Sequence, residues 1–136
     1  PIEHLYFDGI VSLVRGRRED NSDDLYRIAP FNGTLAATWA METWSATIEG
    51  VFVDDQIDVS RTNGEPRTSG YALLNLRARY SPWKWATLIA GIDNILDKRY
   101  RDHLAGINRV NGSDLAVGER IPGPRRNFYG GVSITF

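Results

Sequence analysis

Arg125-Arg126-Asn127-Phe128-Tyr129-Gly130-Gly131-Val132-Ser133-Ile134-Thr135-Phe136 is the stretch on which the fold turns. Side chains of an extended strand alternate between its faces. Phe128, Gly130, Val132, Ile134 and Phe136 therefore share one side, and Tyr129, Gly131, Ser133 and Thr135 share the other. A water-soluble domain rarely places an aromatic such as Phe136 at an exposed strand end. The position is natural where one face of every strand meets lipid and aromatics ring the interface.

Working outward, the same two-residue period recurs five times. It predicts strands over about residues 4–15, 33–41, 44–53, 71–80 and 85–96. Their apolar faces read Leu5, Phe7, Gly9, Val11, Leu13; then Leu35, Ala37, Trp39, Met41; then Trp44, Ala46, Ile48, Gly50, Phe52. Ala72, Leu74, Leu76, Ala78 and Tyr80 follow, and then Leu88, Ala90 and Ile92. Between the strands, residues 16–32, 54–70 and 97–124 are long and polar, whereas Glu42-Thr43 and Ser81-Pro82-Trp83-Lys84 are short turns. Short turns on one side and long loops on the other are the arrangement of outer-membrane barrels. Trp39, Trp44, Tyr80, Trp83 and Trp85 all flank the short turns, as an aromatic girdle would. Alternation alone also suits a water-soluble sandwich or a lipocalin-like barrel, although strands there are usually shorter.

Composition narrows the classes. The chain of 136 residues has room for one domain or for a piece of something larger. Its opening, Pro1-Ile2-Glu3, carries no signal peptide, and no run approaches the roughly 18 apolar residues of a membrane helix. The net charge is -1, so no electrostatic footprint for nucleic acid exists; every basic residue except Lys84 and Lys98 is Arg. With no cysteine, disulfide frameworks, thiolate catalysis and Cys-type zinc sites are excluded.

Four segments carry a family resemblance. Gly91-Ile92-Asp93-Asn94-Ile95-Leu96-Asp97-Lys98-Arg99-Tyr100 resembles the G-x-D-N-L-F-D-K-x-Y signature near the end of TonB-dependent outer-membrane receptors, with Ile95-Leu96 in place of Leu-Phe. Tyr71-Ala72-Leu73-Leu74-Asn75-Leu76-Arg77 resembles the start of the third-last strand in that family. Arg120 to Tyr129 resembles the Pro-Gly-containing approach to its last strand. Leu25-Tyr26-Arg27-Ile28-Ala29-Pro30 resembles the approach to an earlier one, with Ala29 where Pro is common. The resemblance implies an all-β, antiparallel, up-and-down transmembrane β-barrel of about 22 strands with a plugged lumen. Residues 1–136 would then be its C-terminal six strands, with the plug domain and the earlier strands absent. Six strands cannot close such a barrel, so the chain is expected to be a fragment, one part of a split receptor, or a remnant.

The same resemblance frames the candidate residues. Arg77 and Arg79 would project into the lumen, where they are candidates for guiding an anionic substrate or pairing with plug carboxylates; a wall network is the preferred reading. His103 is a candidate loop ligand, but His4 lies far away in sequence, so no ligand spacing supports a metal and a structural or solvated role is preferred. Asp54, Asp55 and Asp58 lack the Gly and terminal Glu of a calcium loop and read as a solvated acidic loop. Gly91, Asp93, Asn94, Asp97 and Tyr100 form the family motif, and its Asp and Asn side chains are expected to shape the strand exit. Phe128, Val132, Ile134 and Phe136 resemble the signal read by the barrel-assembly machinery through strand addition.

No nucleophile elbow, catalytic triad or framed carboxylate pair is present, and neither enzyme activity nor a cofactor is expected. The expectation is a Gram-negative outer-membrane receptor taking up metal chelates, ferric siderophores first. Its partners would be lipid, the rest of the barrel, the plug, TonB and the assembly machinery. A structural or adhesive outer-membrane barrel and a soluble β-barrel binding module are the alternatives.

Overall fold

The computed structural model describes residues 3–136; the reading of the opening Pro1-Ile2 lies outside them. Six strands follow in chain order among the described residues: β1 (Leu5–Ser12), β2 (Asn32–Ala40), β3 (Trp44–Val53), β4 (Tyr71–Trp83), β5 (Ala86–Asp93) and β6 (Asn127–Ile134). Each pairs antiparallel with its sequence neighbours, giving one sheet of order β1-β2-β3-β4-β5-β6. The fold is all-β and up-and-down. The sheet does not close, so β1 and β6 each keep one edge free of strand partners among the described residues.

Register converts the sequence alternation into two continuous faces. Pairs such as Phe7↔Ala37, Ala37↔Ile48, Ile48↔Leu76, Leu76↔Ile92 and Ile92↔Phe128 step across the whole sheet without leaving one side. That side carries no charged residue from Leu5 to Ile134 within the strands, and Tyr80 holds its only hydroxyl. The opposite side carries Asp8, Thr38, Thr47, Glu49, Asn75, Arg77, Arg79, Asp93 and Asn127. A one-residue slip in any strand would exchange the faces, so this agreement across five ladders fixes the register.

Burial is inverted relative to a domain folded around an oily core. Ala86 and Pro30 are the buried apolar side chains among the described residues, while Phe7 and Phe128 are about two-thirds exposed, at 69% and 68%. The other buried side chains are polar: Gln56, Ser60, Glu65, Asn75, Asn94, His103 and Arg120. A sheet that leaves its whole apolar face uncovered requires an apolar medium or partner on that side. The two short turns lie at one end of the sheet, and Trp39, Trp44, Tyr80, Trp83 and Trp85 remain exposed around them. Trp83 and Trp85 stack with centroids 5.1 Å apart. The long loops lie at the other end.

Several strand limits differ from the sequence expectation. β1 stops at Ser12 rather than Arg15, because the chain beyond folds back on itself: the Leu25 N–H donates to Gly16 O and the Arg18 N–H to Asp23 O. β4 runs through Ser81 and Pro82 to Trp83, leaving a tighter turn than expected. A register shift between Tyr80 and Trp83 accommodates Pro82, which has no N–H to give to the ladder. β5 ends at Asp93 instead of Leu96, since Asn94 and Asp97 take left-handed φ values of 52° and 54° that no strand can continue.

Candidate functional site

The polar face is built around β3 and β4. Glu49 sits opposite Asn75 and accepts two bonds from Arg77, Nη1 to Oε2 at 2.9 Å and Nη2 to Oε1 at 3.0 Å. Asn75 donates to Glu49 Oε1 at 2.9 Å and accepts the Asn94 N–H at 2.9 Å. One carboxylate thus orients both neighbours, and Arg77 is held in a bidentate fork. Arg79, two positions on and on the same face, has no ion pair among the described residues. Thr38 and Thr47 bond across β2 and β3 at 2.8 Å. Further along this face the Tyr129 ring lies over Gly91, so that a Cβ there would clash with the ring.

Beyond β5, the motif residues tie the two ends of the last long loop together. The Asn94 side chain donates to Lys98 O at 2.8 Å and Pro124 O at 3.2 Å, and accepts the Lys98 N–H at 2.8 Å. Asp97 accepts a two-pronged contact from Arg125 and the Arg126 N–H at 3.1 Å. The Arg125 guanidinium holds the Asp97 carboxyl well below the usual carboxylate range. Tyr100 packs its ring on Gly123, where a Cβ would clash with it, and lies tilted against Tyr71 with centroids 4.4 Å apart. Burial, with Asp102 and Asp93 nearby, raises the Tyr100 phenol above its ordinary value. The Tyr71 hydroxyl donates to Asp102 at 2.8 Å. Asp93 lies at the end of β5, opposite Asn127.

The three long loops pack on one another through a buried polar cluster. His103 places Nε2 3.1 Å from Glu65 Oε1 and Nδ1 2.8 Å from Thr68 Oγ1. Since the carboxylate only accepts, Nε2 carries the proton and Nδ1 accepts from the Thr68 hydroxyl. Glu65 also accepts the Arg27 N–H at 2.9 Å and the Ser60 N–H at 3.0 Å. Arg120 donates to the carbonyls of His103 and Ala105, and its Nε is buried without a partner among the described residues. Burial pushes the His103 pKa below its ordinary value, Glu65 opposing and Arg120 adding to the shift. Asp23 accepts the N–H groups of Thr62 and Arg61, at 2.9 and 3.0 Å, and the Ser60 hydroxyl, which hold its carboxyl well below the usual range.

These placements separate the sequence candidates. Arg77 and Arg79 lie on the sheet's polar face, while His103 lies inside the loop cap, so the three form no common site. Asp54 and Asp55 accept backbone N–H groups and, with Asp58, line an open cleft of about 730 Å³ between the first two long loops. Among the described residues, no group of three or more His, Cys, Asp or Glu side chains is arranged to hold a metal ion. Phe128, Val132 and Ile134 stand exposed on the apolar face, and Phe136 is wholly exposed beyond β6. Glu65, Asp23 and Arg120 were not legible as cap residues, because their partners lie on other loops with no local spacing to mark them.

The family model for the TonB-dependent receptor-like β-barrel matches residues 6–95. No curated protein matches the sequence. Among solved structures, the chain described as "Copper transporter OprC" superposes with a TM-score of 0.94 at 23% identity. The superposition covers 100% of this chain and 22% of that one, so the residues here span about a fifth of that relative's length.

Proposed function

From the premise that this chain belongs to the TonB-dependent receptor-like β-barrel family, we propose that it forms the C-terminal wall and outer loops of a Gram-negative outer-membrane receptor. The intact receptor would be a barrel of about 22 strands around a plug, preceding these residues in a longer chain. It would import a scarce metal as a chelate, with TonB supplying the driving force through the plug side. Ferric siderophores are the first candidates, then haem, cobalamin or copper.

The observation that carries this reading is the uncharged apolar face that runs unbroken through five ladders, back to back with the Glu49–Arg77–Asn75 network. A strand wall with lipid on one side and a wet, plugged lumen on the other needs that division. On the lumen side, Arg77 serves the wall and Arg79 is free to meet a plug carboxylate. The free edge of β6, with Phe128, Val132, Ile134 and Phe136 on one side, supplies the strand that the barrel-assembly machinery would take up.

Uptake of radiolabelled metal chelates by cells expressing the complete receptor, with and without TonB, tests the proposal. TonB-dependent accumulation of a ferric siderophore is the expected result. Accumulation of copper alone would move the substrate to the metal for which the structural relative, a copper transporter, is named. A correctly assembled barrel with no TonB-dependent uptake would sink transport and leave a structural or adhesive barrel.

A further inference from the structure

An open cleft of about 940 Å³ lies where the second and third long loops meet the ends of β4, β5 and β6. Its lining is strongly one-signed. Arg67, Lys98, Arg99, Arg101, Arg120 and Arg125 face it, against Glu119 as the sole acidic residue of the lining. Three of these cations have work elsewhere: Arg101 pairs with Glu119, Arg125 with Asp97, and Arg120 with loop carbonyls. Arg67, Lys98 and Arg99 are exposed and form no ion pair among the described residues.

Two further features mark the cleft as built for a ligand. Arg120 is 7% exposed and keeps its Nε without a hydrogen-bond partner among the described residues, a donor left unmet where nearly all buried polar groups are satisfied. The Tyr71 and Tyr100 rings, in tilted contact, belong to the lining as well, and the Tyr71–Asp102 bond and Gly123 fix their positions. Fixed arginines beside free ones give a preorganised donor array, which favours oxyanions presenting several oxygens at once.

We propose that this cleft binds a multivalent oxyanion, a ligand bearing several phosphate or carboxylate groups, held by Arg67, Lys98 and Arg99 with Arg120 beneath them. The inference deepens the transport reading and rests on it only for which side of the membrane the cleft faces. Two sources share the chemistry: a soluble polyanionic ligand and the phosphorylated headgroup of an outer-leaflet lipid.

The test uses the complete receptor purified in nanodiscs of phosphatidylcholine, with and without lipid A. Inorganic pyrophosphate is the soluble probe, and binding is read by calorimetry. The expected result is pyrophosphate binding that weakens as salt rises. It should weaken by about tenfold or more in a variant carrying Arg67→Gln, Lys98→Gln and Arg99→Gln. The control Arg109→Gln, outside the cleft, should bind as the parent does. If lipid A displaces pyrophosphate from the parent but not from the triple variant, the headgroup is the source; if it does not compete, a soluble ligand is. Absence of binding to both probes, or equal binding by parent and triple variant, overturns the proposal. None of these readings depends on uptake, so loss of transport and loss of the cleft are separately visible.

Discussion

Glu65 and His103 meet at 3.1 Å, Oε1 to Nε2, with both side chains 1% exposed, and this contact between the second and third long loops is the centre of the cap. It makes the cap sensitive to acid. Burial lowers the His103 pKa in the folded cap, whereas the unfolded loop retains a value near 6.5. The neutral folded state is therefore fully favoured above about 6.5, and stability falls as the pH drops from there towards the folded pKa. Protection of the amides of residues 60–68 and 102–106, taken relative to the intrinsic exchange rate at each pH, should fall as the pH drops below about 6.5. His103→Asn should remove most of that dependence. Protection that stays constant through that fall in pH would show that His103 does not titrate against the cap.

Glu65→Ala removes the acceptor of His103 and of the Arg27 and Ser60 N–H groups together. Leaving those donors buried and unpaired should cost about 3 kcal/mol or more of cap stability. Glu65→Gln keeps one carbonyl acceptor and should cost less. Proteolysis within residues 101–119 reads the effect, while the strands remain protected.

At the base of the third loop, Asn94→Ala should destabilise more than Asn94→Gly. Both lose the bonds to Lys98 and Pro124, but Ala adds strain at φ 52°, where Gly fits without cost. The loss of buried pairing should amount to about 2 kcal/mol for Gly, and about 1 kcal/mol more for Ala. The thermal midpoint of the detergent-solubilised receptor provides the comparison. Equal midpoints for the two variants would remove backbone strain from the account.

How much of this was legible in the sequence follows from the range of each interaction. The two faces were readable because strand alternation is a local period; Phe128, Val132 and Ile134 fell on the correct side with no knowledge of Leu88 or Ala86 opposite them. The Ser81–Trp83 stretch was not readable, since Pro82 signals a turn as readily as a bulge, and only pairing with β5 decides. The motif residues Gly91, Asn94, Asp97 and Tyr100 could be recognised, but their partners Tyr129, Pro124, Arg125 and Gly123 lie 23–38 residues away. The pairing of Glu65 with His103 carried no signal, because 38 residues separate them; the sequence marked His103 alone, as a loop histidine with a structural or solvated role preferred.

The assignment of lipid to the apolar face is open to a direct chemical test, because the chain contains no cysteine. Leu74→Cys places a thiol on the face shared with Gly50, and Thr47→Cys places one on the face shared with Thr38 and Arg77. In a receptor free of other cysteines, a fluorophore at position 74 should be quenched by brominated acyl chains. One at position 47 should escape that quencher and respond to a water-soluble one. A charged substitution separates the faces energetically as well. Ile48→Arg, mid-strand on the apolar side, should cost about 2–4 kcal/mol, while Thr47→Arg one residue away should be tolerated by a wet lumen. Water-side quenching at both positions would place water on the apolar face, quenching of position 74 by neither agent would place protein there, and either result would require the wall of a membrane barrel to be given up.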